Sequence, residues 1–261
     1  MNADVAKGTM YRNLIDYSHV LSALLGYGVK VVDGKLLISG PMNVPTLNVA
    51  MCEGGSGDLQ ELVSMAEEHF SASGAQYTIW TFGDEGSVDM MGRMGYSKLV
   101  GLPGMMKRGE AAERSVEGLE MVLVKDQEAL MDFASVAFEA FEFPKEDGSI
   151  FFDSFRRAPL TVMDKANLLV GYLDGEPVAT AISYTNDEST GVYFVGTLER
   201  ARGKGIGAAM TARCVNLGVG KGVDVSVLQS SQEGYGIYAR AGFETFCTIE
   251  LYAKGMERSE D

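Results

Sequence analysis

The chain has 261 residues, of which 46% are hydrophobic, and a net charge of −14 at pH 7; that length can bury one large core or two moderate ones, and leans toward two. Charge of this sign repels phosphate backbones and anionic lipid, which argues against nucleic-acid and membrane-surface partners. No apolar run approaches a membrane span, and no basic segment followed by an apolar run opens the chain, so a cytoplasmic protein is expected. Cys52, Cys214 and Cys247 lie far apart without CxxC spacing and read as reduced core residues. The two histidines, His19 and His69, both fall in the first half, which excludes a histidine metal cage or a Ser-His-Asp triad in the second. No metal is expected.

In chain order, Leu14, Ile15, Tyr17, Val20, Leu21, Leu24 and Leu25 recur at helical spacing and end at Gly26, predicting an opening amphipathic helix over 10–25. Val29–Val32 and Lys35–Ile38 flank Asp33-Gly34, a two-residue hairpin signal. Leu47–Met51 predicts a short strand, Asp58–Phe70 a helix, Tyr77–Phe82 a buried strand, and Val88–Met94 a short helix leading into Gly95-Tyr96. Residues 107–117 are charged and lack an apolar period, which marks a linker between two domains over 1–112 and 118–256. Beyond it come a strand over 119–124, a helix over 127–143 and a break at 144–149. Next are a helical segment over 151–157, a second Asp-Gly hairpin over 167–185 and a strand over 191–198. A helix over 208–217, a buried strand over 223–229, a short helix over 234–241 and a last strand over 243–253 complete the chain.

Two features of this order stand out. Met90-Met91-Gly92-Arg93-Met94-Gly95-Tyr96 matches Ile237-Tyr238-Ala239-Arg240-Ala241-Gly242-Phe243 at a spacing of 147 residues, and each half carries an Asp-Gly hairpin in the same relative place. This reads as an internal duplication. The other feature is Arg202-Gly203-Lys204-Gly205-Ile206-Gly207, between an apolar strand and a helix with Ile206, Met210, Cys214 and Leu217 on one face. Glycines there let the backbone turn tightly and aim successive amide N–H groups at an anion, with the positive end of the helix behind them and Arg200, Arg202 and Lys204 beside them. The counterpart in the first half, Gly54-Gly55-Ser56-Gly57, keeps glycines but has no basic residue, and Glu53 and Asp58 would repel a phosphate there.

These segments resemble the GNAT superfamily of acyl-coenzyme A-dependent N-acetyltransferases over roughly 118–254, with the first half similar to a degenerate copy. The resemblance implies an α/β fold with two tandem domains, each a mixed, mostly antiparallel sheet flanked by helices. It implies that the amides of Gly203, Lys204, Gly205, Ile206, Gly207 and Ala208, with Arg202 and Lys204, hold the diphosphate of acetyl-CoA. It further implies that Val195, Gly196 and Thr197 meet the pantetheine arm, that a strand amide polarises the thioester, and that Tyr238 serves the departing thiolate. The acceptor would be a primary amine of a small molecule or peptide. Glu199 departs from the family, which often has proline there; Arg200 could offset it. Acceptor pockets in the family come from the first helices and loops, here the aromatic and acidic stretch Phe138–Phe155. The base is open among Glu139, Glu142, Asp153, Tyr184 and a water relay. Met91 stands where Tyr238 would, so the first half is expected to wall the acceptor site rather than catalyse.

Two other readings remain. Gly203-Lys204-Gly205-Ile206-Gly207-Ala208 also satisfies the dinucleotide fingerprint G-x-G-x-x-A, with Asp224 about 20 residues on as the ribose acid of an oxidoreductase. A coenzyme A-binding regulator that has lost transfer would keep the same loop. No heptad or apolar seam points to an oligomeric state.

Overall fold

In the computed structural model, which describes residues 2–54, 56–83 and 85–255, the first helix α1 (Ala3–Leu25) starts where the Asn2 side chain accepts the Val5 amide and stops at Gly26. The hairpin of β1 (Gly28–Val32) and β2 (Lys35–Ser39) turns on Asp33 and Gly34, both at positive φ (48° and 72°). Two such residues give the turn the twist that antiparallel strands require. After β3 (Val49–Cys52) come α2 (Ser56–Ser71), β4 (Thr78–Phe82), α3 (Glu85–Arg93) and the 13-residue β5 (Tyr96–Arg108). The second half continues with β6 (Leu119–Leu123), α4 (Gln127–Ala140), α5 (Gly148–Arg157), β7 (Ala166–Leu173) and β8 (Glu176–Thr185). It ends with β9 (Thr190–Thr197), α6 (Ile206–Val219), β10 (Val225–Gln229), α7 (Gln232–Arg240) and β11 (Glu244–Lys254). The β7–β8 turn repeats the first, with Asp174 at φ 52° and Gly175 at φ 87°.

All the strands join one eleven-stranded sheet in the order β1-β2-β3-β4-β11-β5-β10-β9-β8-β7-β6. Only β3–β4 and β9–β10 are parallel; every other pairing is antiparallel. The expected α/β class with mixed, mostly antiparallel sheets therefore holds, with the two sheets fused into one. Fusion comes from an exchange: β11, last in the chain, lies against β4 of the first half, and β5 lies against β10 of the second. These two strands pair with each other from Tyr96–Lys254 to Met106–Glu244. The linker expected over 107–117 starts later, because Lys107 and Arg108 belong to β5 and pair with β10. Nor is the segment after Arg108 a free tether: the Ala111 amide donates to Asn216 Oδ1 (2.9 Å), and Asn216 Nδ2 on α6 returns a bond to the Ala111 carbonyl (3.0 Å).

The core on one face of the sheet is shared between the halves. Leu14, Tyr17 and Leu21 of α1 belong to the same buried cluster as Phe133, Phe151 and Phe155 of α4 and α5. Asn13, fully buried, accepts from the Tyr193 hydroxyl (2.8 Å) and donates to the Ser189 carbonyl (2.9 Å), while the Tyr17 and Tyr193 rings stack at 3.8 Å. All three cysteines are free, Cys52 and Cys214 buried and Cys247 partly so. Among the described residues, no helix is long and apolar enough to cross a membrane.

The exchange makes each half incomplete alone, since fragment 118–255 lacks β5 and exposes the β10 edge and both edges of β11. Fragments 1–112 and 118–255 are each expected to show no cooperative thermal transition by circular dichroism, and their mixture to restore one. A cooperative transition in either fragment by itself would show that the halves fold independently.

Candidate functional site

Strand β9 runs out of register just before the glycine loop. Thr180 pairs with Gly196 and Ile182 with Tyr193, so Phe194 and Val195 face a single β8 residue. Phe194 takes φ 50°, a conformation rare for a bulky side chain, and its carbonyl accepts the Thr180 hydroxyl (2.9 Å). Such a bulge takes backbone groups out of the ladder and re-aims them. On the other side, β9 and β10 are paired only at Thr190–Ser226 and Gly191–Val227 before they part. The sheet is therefore split beside the bulge.

At the mouth of this split lies a cleft of about 690 Å³, lined by Val195, Gly196 and Thr197, by Arg202, Gly203, Gly205, Ile206, Gly207 and Ala208, and by Tyr238. It contains every candidate binding residue from the sequence except Lys204, which is exposed outside the lining. Gly203 and Gly205 sit at φ 80° and 85°, where side chains fit poorly, and Gly205 caps the N-terminus of α6. The loop's amides and the helix dipole thus converge on the cleft. Arg202 Nε donates to the Thr197 carbonyl (3.2 Å), and among the described residues neither Arg202, Lys204, Arg114 nor Arg240 has an ion-pair partner. Arg200 is engaged elsewhere, 3.3 Å from Glu139. Glu199 is exposed and does not line the cleft. An anion with an extended arm fits this donor set.

Three parts of the lining lie outside the coenzyme-binding residues expected from the sequence. Ala111, Ala112 and Arg114 come from the segment read as a linker, which Asn216 straps against α6. Phe141 ends α4, and Ser231 accepts the Gly234 amide (3.1 Å) to cap α7. Gly234 has a steric role: a Cβ there would come 2.8 Å from Cε2 of Tyr238, so glycine lets the ring lie back along its own helix. This spacing, glycine four residues before the tyrosine, was available in the sequence.

Tyr238 also lines a second cavity of about 260 Å³, which shares Phe141, Val195 and Ser231 with the first. Its other walls are α1, β2, the segment 46–49, Trp80 and Leu102 from the first half, with Val192, Tyr193, Phe194 and Gln229 from the second. Burial, with a smaller contribution from nearby Cys214, pushes the Tyr238 phenol up to about 12. Of the stretch Phe138–Phe155, only Phe141 reaches this cavity. The candidate bases line neither cavity: Glu139 pairs with Arg200, Asp153 with Arg156 (2.5 Å), Glu142 is exposed, and Tyr184 tilts against Tyr17 with ring centroids 6.3 Å apart. Asp224, the acid required by the dinucleotide reading, is exposed before β10 beside Arg108 (3.8 Å) and lies outside the cleft.

The equivalent turn in the first half borders a cleft of about 650 Å³ whose lining at the turn is acidic, with Glu53 and Asp58 beside Gly54. Asp58 folds against Gly54 and, with Glu61, pairs with the buried Lys35 (3.6 and 2.9 Å). Gly55, part of the expected degenerate loop, lies outside the described residues. Met91, the counterpart of Tyr238, is fully buried in the core. Among the described residues no cluster of His, Cys, Asp or Glu could hold a metal ion.

Residues 128–243 match the acetyltransferase (GNAT) family. Similar solved structures include a GCN5-related N-acetyltransferase from Kribbella flavida, at 18% identity over 94% of this chain and 96% of that one, with a TM-score of 0.68. Another is a GCN5-related N-acetyltransferase from Sphaerobacter thermophilus (17% identity, 87% and 82% covered, TM-score 0.62). A third is a tandem GNAT protein from the clavulanic acid biosynthesis pathway (11% identity, 98% of both chains covered, TM-score 0.59). At these identities the likeness establishes the fold. No curated protein matches the chain.

Folded, the Tyr238 phenol ionises near 12; unfolded, near 10. The folded chain then holds this proton more tightly, so the associated stability is complete below pH 10 and is lost as pH rises toward 12. In urea denaturation between pH 9 and pH 12, Tyr238→Phe is expected to lose less stability than wild type over that window. Parallel curves would show that this phenol is not perturbed.

Proposed function

From the match of residues 128–243 to the acetyltransferase (GNAT) family, we propose that the chain is an acyl-CoA-dependent N-acetyltransferase. It moves acetyl from acetyl-CoA to a primary amine of a small molecule or peptide by direct attack. In this reading residues 118–256 are the catalytic unit, of which Met256 lies outside the described residues, and residues 1–112 wall the acceptor side. The observation that carries the proposal is the meeting of two cavities at Tyr238, one rich in anion donors and one apolar.

Bound in the larger cleft, acetyl-CoA supplies an activated acetyl thioester. The amides from Gly203 to Ala208 and the Arg202 guanidinium hold its diphosphate, with Arg114 and Arg240 adding positive charge and Lys204 attracting the anion from outside the lining. Val195, Gly196 and Thr197 bond the pantetheine arm as an added strand, and an amide freed by the Phe194–Val195 bulge polarises the thioester oxygen. Transfer forms a C–N bond and breaks the C–S bond. The C–S electron pair settles on sulfur, and nitrogen gives its surplus proton to water. A phenol ionising near 12 is a weaker acid than a thiol at about 8.5, so Tyr238 keeps its proton and stabilises the departing thiolate by hydrogen bonding.

Calorimetric titration of acetyl-CoA is expected to show one site per chain, weakened about tenfold or more in Arg202→Ala/Lys204→Ala through loss of charge-assisted bonds, with no heat from NAD. Binding of NAD instead would return the glycine loop to the dinucleotide reading. Tyr238→Phe is expected to lower kcat by about 10²-fold with little change in acetyl-CoA affinity. Tight binding without thiol release from the wild-type chain under any amine would mark a coenzyme A-binding regulator.

A further inference from the structure

The smaller cavity carries a statement about the acceptor that rests on the transferase reading. Of the residues that line it, none is charged and none is histidine. An ammonium or carboxylate carried deep into such a place would lose its hydration with no partner, a heavy cost for a bare charge. Polyamines and acidic amines are disfavoured on that ground, and amino sugars because their hydroxyls would lose water against apolar walls. Its apolar walls come from helix, strand and loop of the first half: Leu14, Leu21, Leu36, Ile38, Leu47 and Trp80. The volume of about 260 Å³ exceeds the roughly 150 Å³ that holds a benzene ring, and so has room for one ring and a short arm.

Among the polar side chains in this lining, Tyr17 and Gln229 each bury an atom without a partner. Tyr17, 4% exposed, lines the cavity, and its hydroxyl makes no hydrogen bond within the protein; nor does Nε2 of Gln229, which lines it from the end of β10. Their neighbour Tyr193 is satisfied by Asn13, so the unmet bonding capacity belongs to these two alone among the cavity's buried side chains. Both atoms have less than 1 Å² of accessible surface, so they lie behind the lining and offer no bond to an occupant, which meets apolar surface instead.

We propose that the acceptor is a primary amine on a short arm attached to a single uncharged ring that packs against the apolar walls of this cavity. The amine points back past Val195 and Tyr238 into the larger cleft, where its nitrogen attacks the acetyl carbonyl carbon. The C–N bond forms as the C–S bond breaks, and the thiolate leaves with the electron pair. No carboxylate or imidazole lines either route to nitrogen except Glu233 at the outer rim of the larger cleft. The amine therefore reacts in the fraction already neutral in solution and sheds its surplus proton to water.

The test uses the full chain, first titrated with acetyl-CoA and then assayed for thiol release with tyramine, 2-phenylethylamine, spermidine, lysine and glucosamine. Failure to bind acetyl-CoA sinks the transferase reading itself. When acetyl-CoA binds, kcat/KM is expected to be highest for the two ring amines, at least about tenfold above spermidine, lysine and glucosamine, and to rise with pH along the amine's own ionisation. Leu47→Trp should raise KM for both ring amines and leave acetyl-CoA affinity unchanged. Faster release with spermidine, lysine or glucosamine than with the ring amines, or no release with any of the five, overturns the acceptor assignment while the transferase reading stands, as does a Leu47→Trp protein that binds acetyl-CoA normally and keeps its amine KM.

Discussion

The pairing of β5 with β11 is the constraint on which the rest of the molecule depends. Each strand fills the gap beside the parallel strand of the other half, so neither sheet is complete without the exchange. An ordinary two-domain chain could let its halves drift. Here the main-chain ladder fixes them, and α1 of the first half is held against β9 of the second by Asn13, Tyr193 and Ser189. A cavity formed between the halves can then keep its shape, which positioning of a substrate to within an ångström requires.

The second constraint is electrostatic. A chain of net charge −14 offers few places to an anion, and it concentrates the exceptions. Gly203 and Gly205 expose amides at the start of α6, and Arg114, Arg202 and Arg240 line the same cleft without acidic partners among the described residues. In the first half the equivalent turn carries acidic side chains instead. Asp58 places a carboxylate beside Gly54, and Lys35 is spent on Asp58 and Glu61. The two halves therefore carry one cleft whose glycine turn offers anion donors and one whose turn offers carboxylates, through a few charged positions.

The open site also shows how backbone geometry substitutes for side-chain chemistry. The Phe194–Val195 bulge and the early parting of β9 from β10 place unladdered backbone at the junction of the two cavities. Tyr238 reaches that junction because Gly234 leaves room for its ring. Burial pushes its phenol up to about 12, so at neutral pH it carries its proton at that junction.

The sequence by itself determined the element order, both Asp-Gly hairpins, the duplication and the glycine loop. Each of these is encoded locally: a period of two or 3.6, a turn that needs positive φ, a run of glycines at a helix start. It also led to Val195–Thr197 and Tyr238, through motif spacing. The tertiary structure decided what depends on distant partners. The strand exchange was invisible because an apolar strand does not name its neighbour, and the linker became a cleft wall only through Asn216 on α6. Of the run 138–155, whose phenylalanines other than Phe141 pack in or against the core, only Phe141 reaches the smaller cavity beside Tyr238; α1 and strands of the first half supply other walls of it, a placement that no short-range pattern specifies residue by residue.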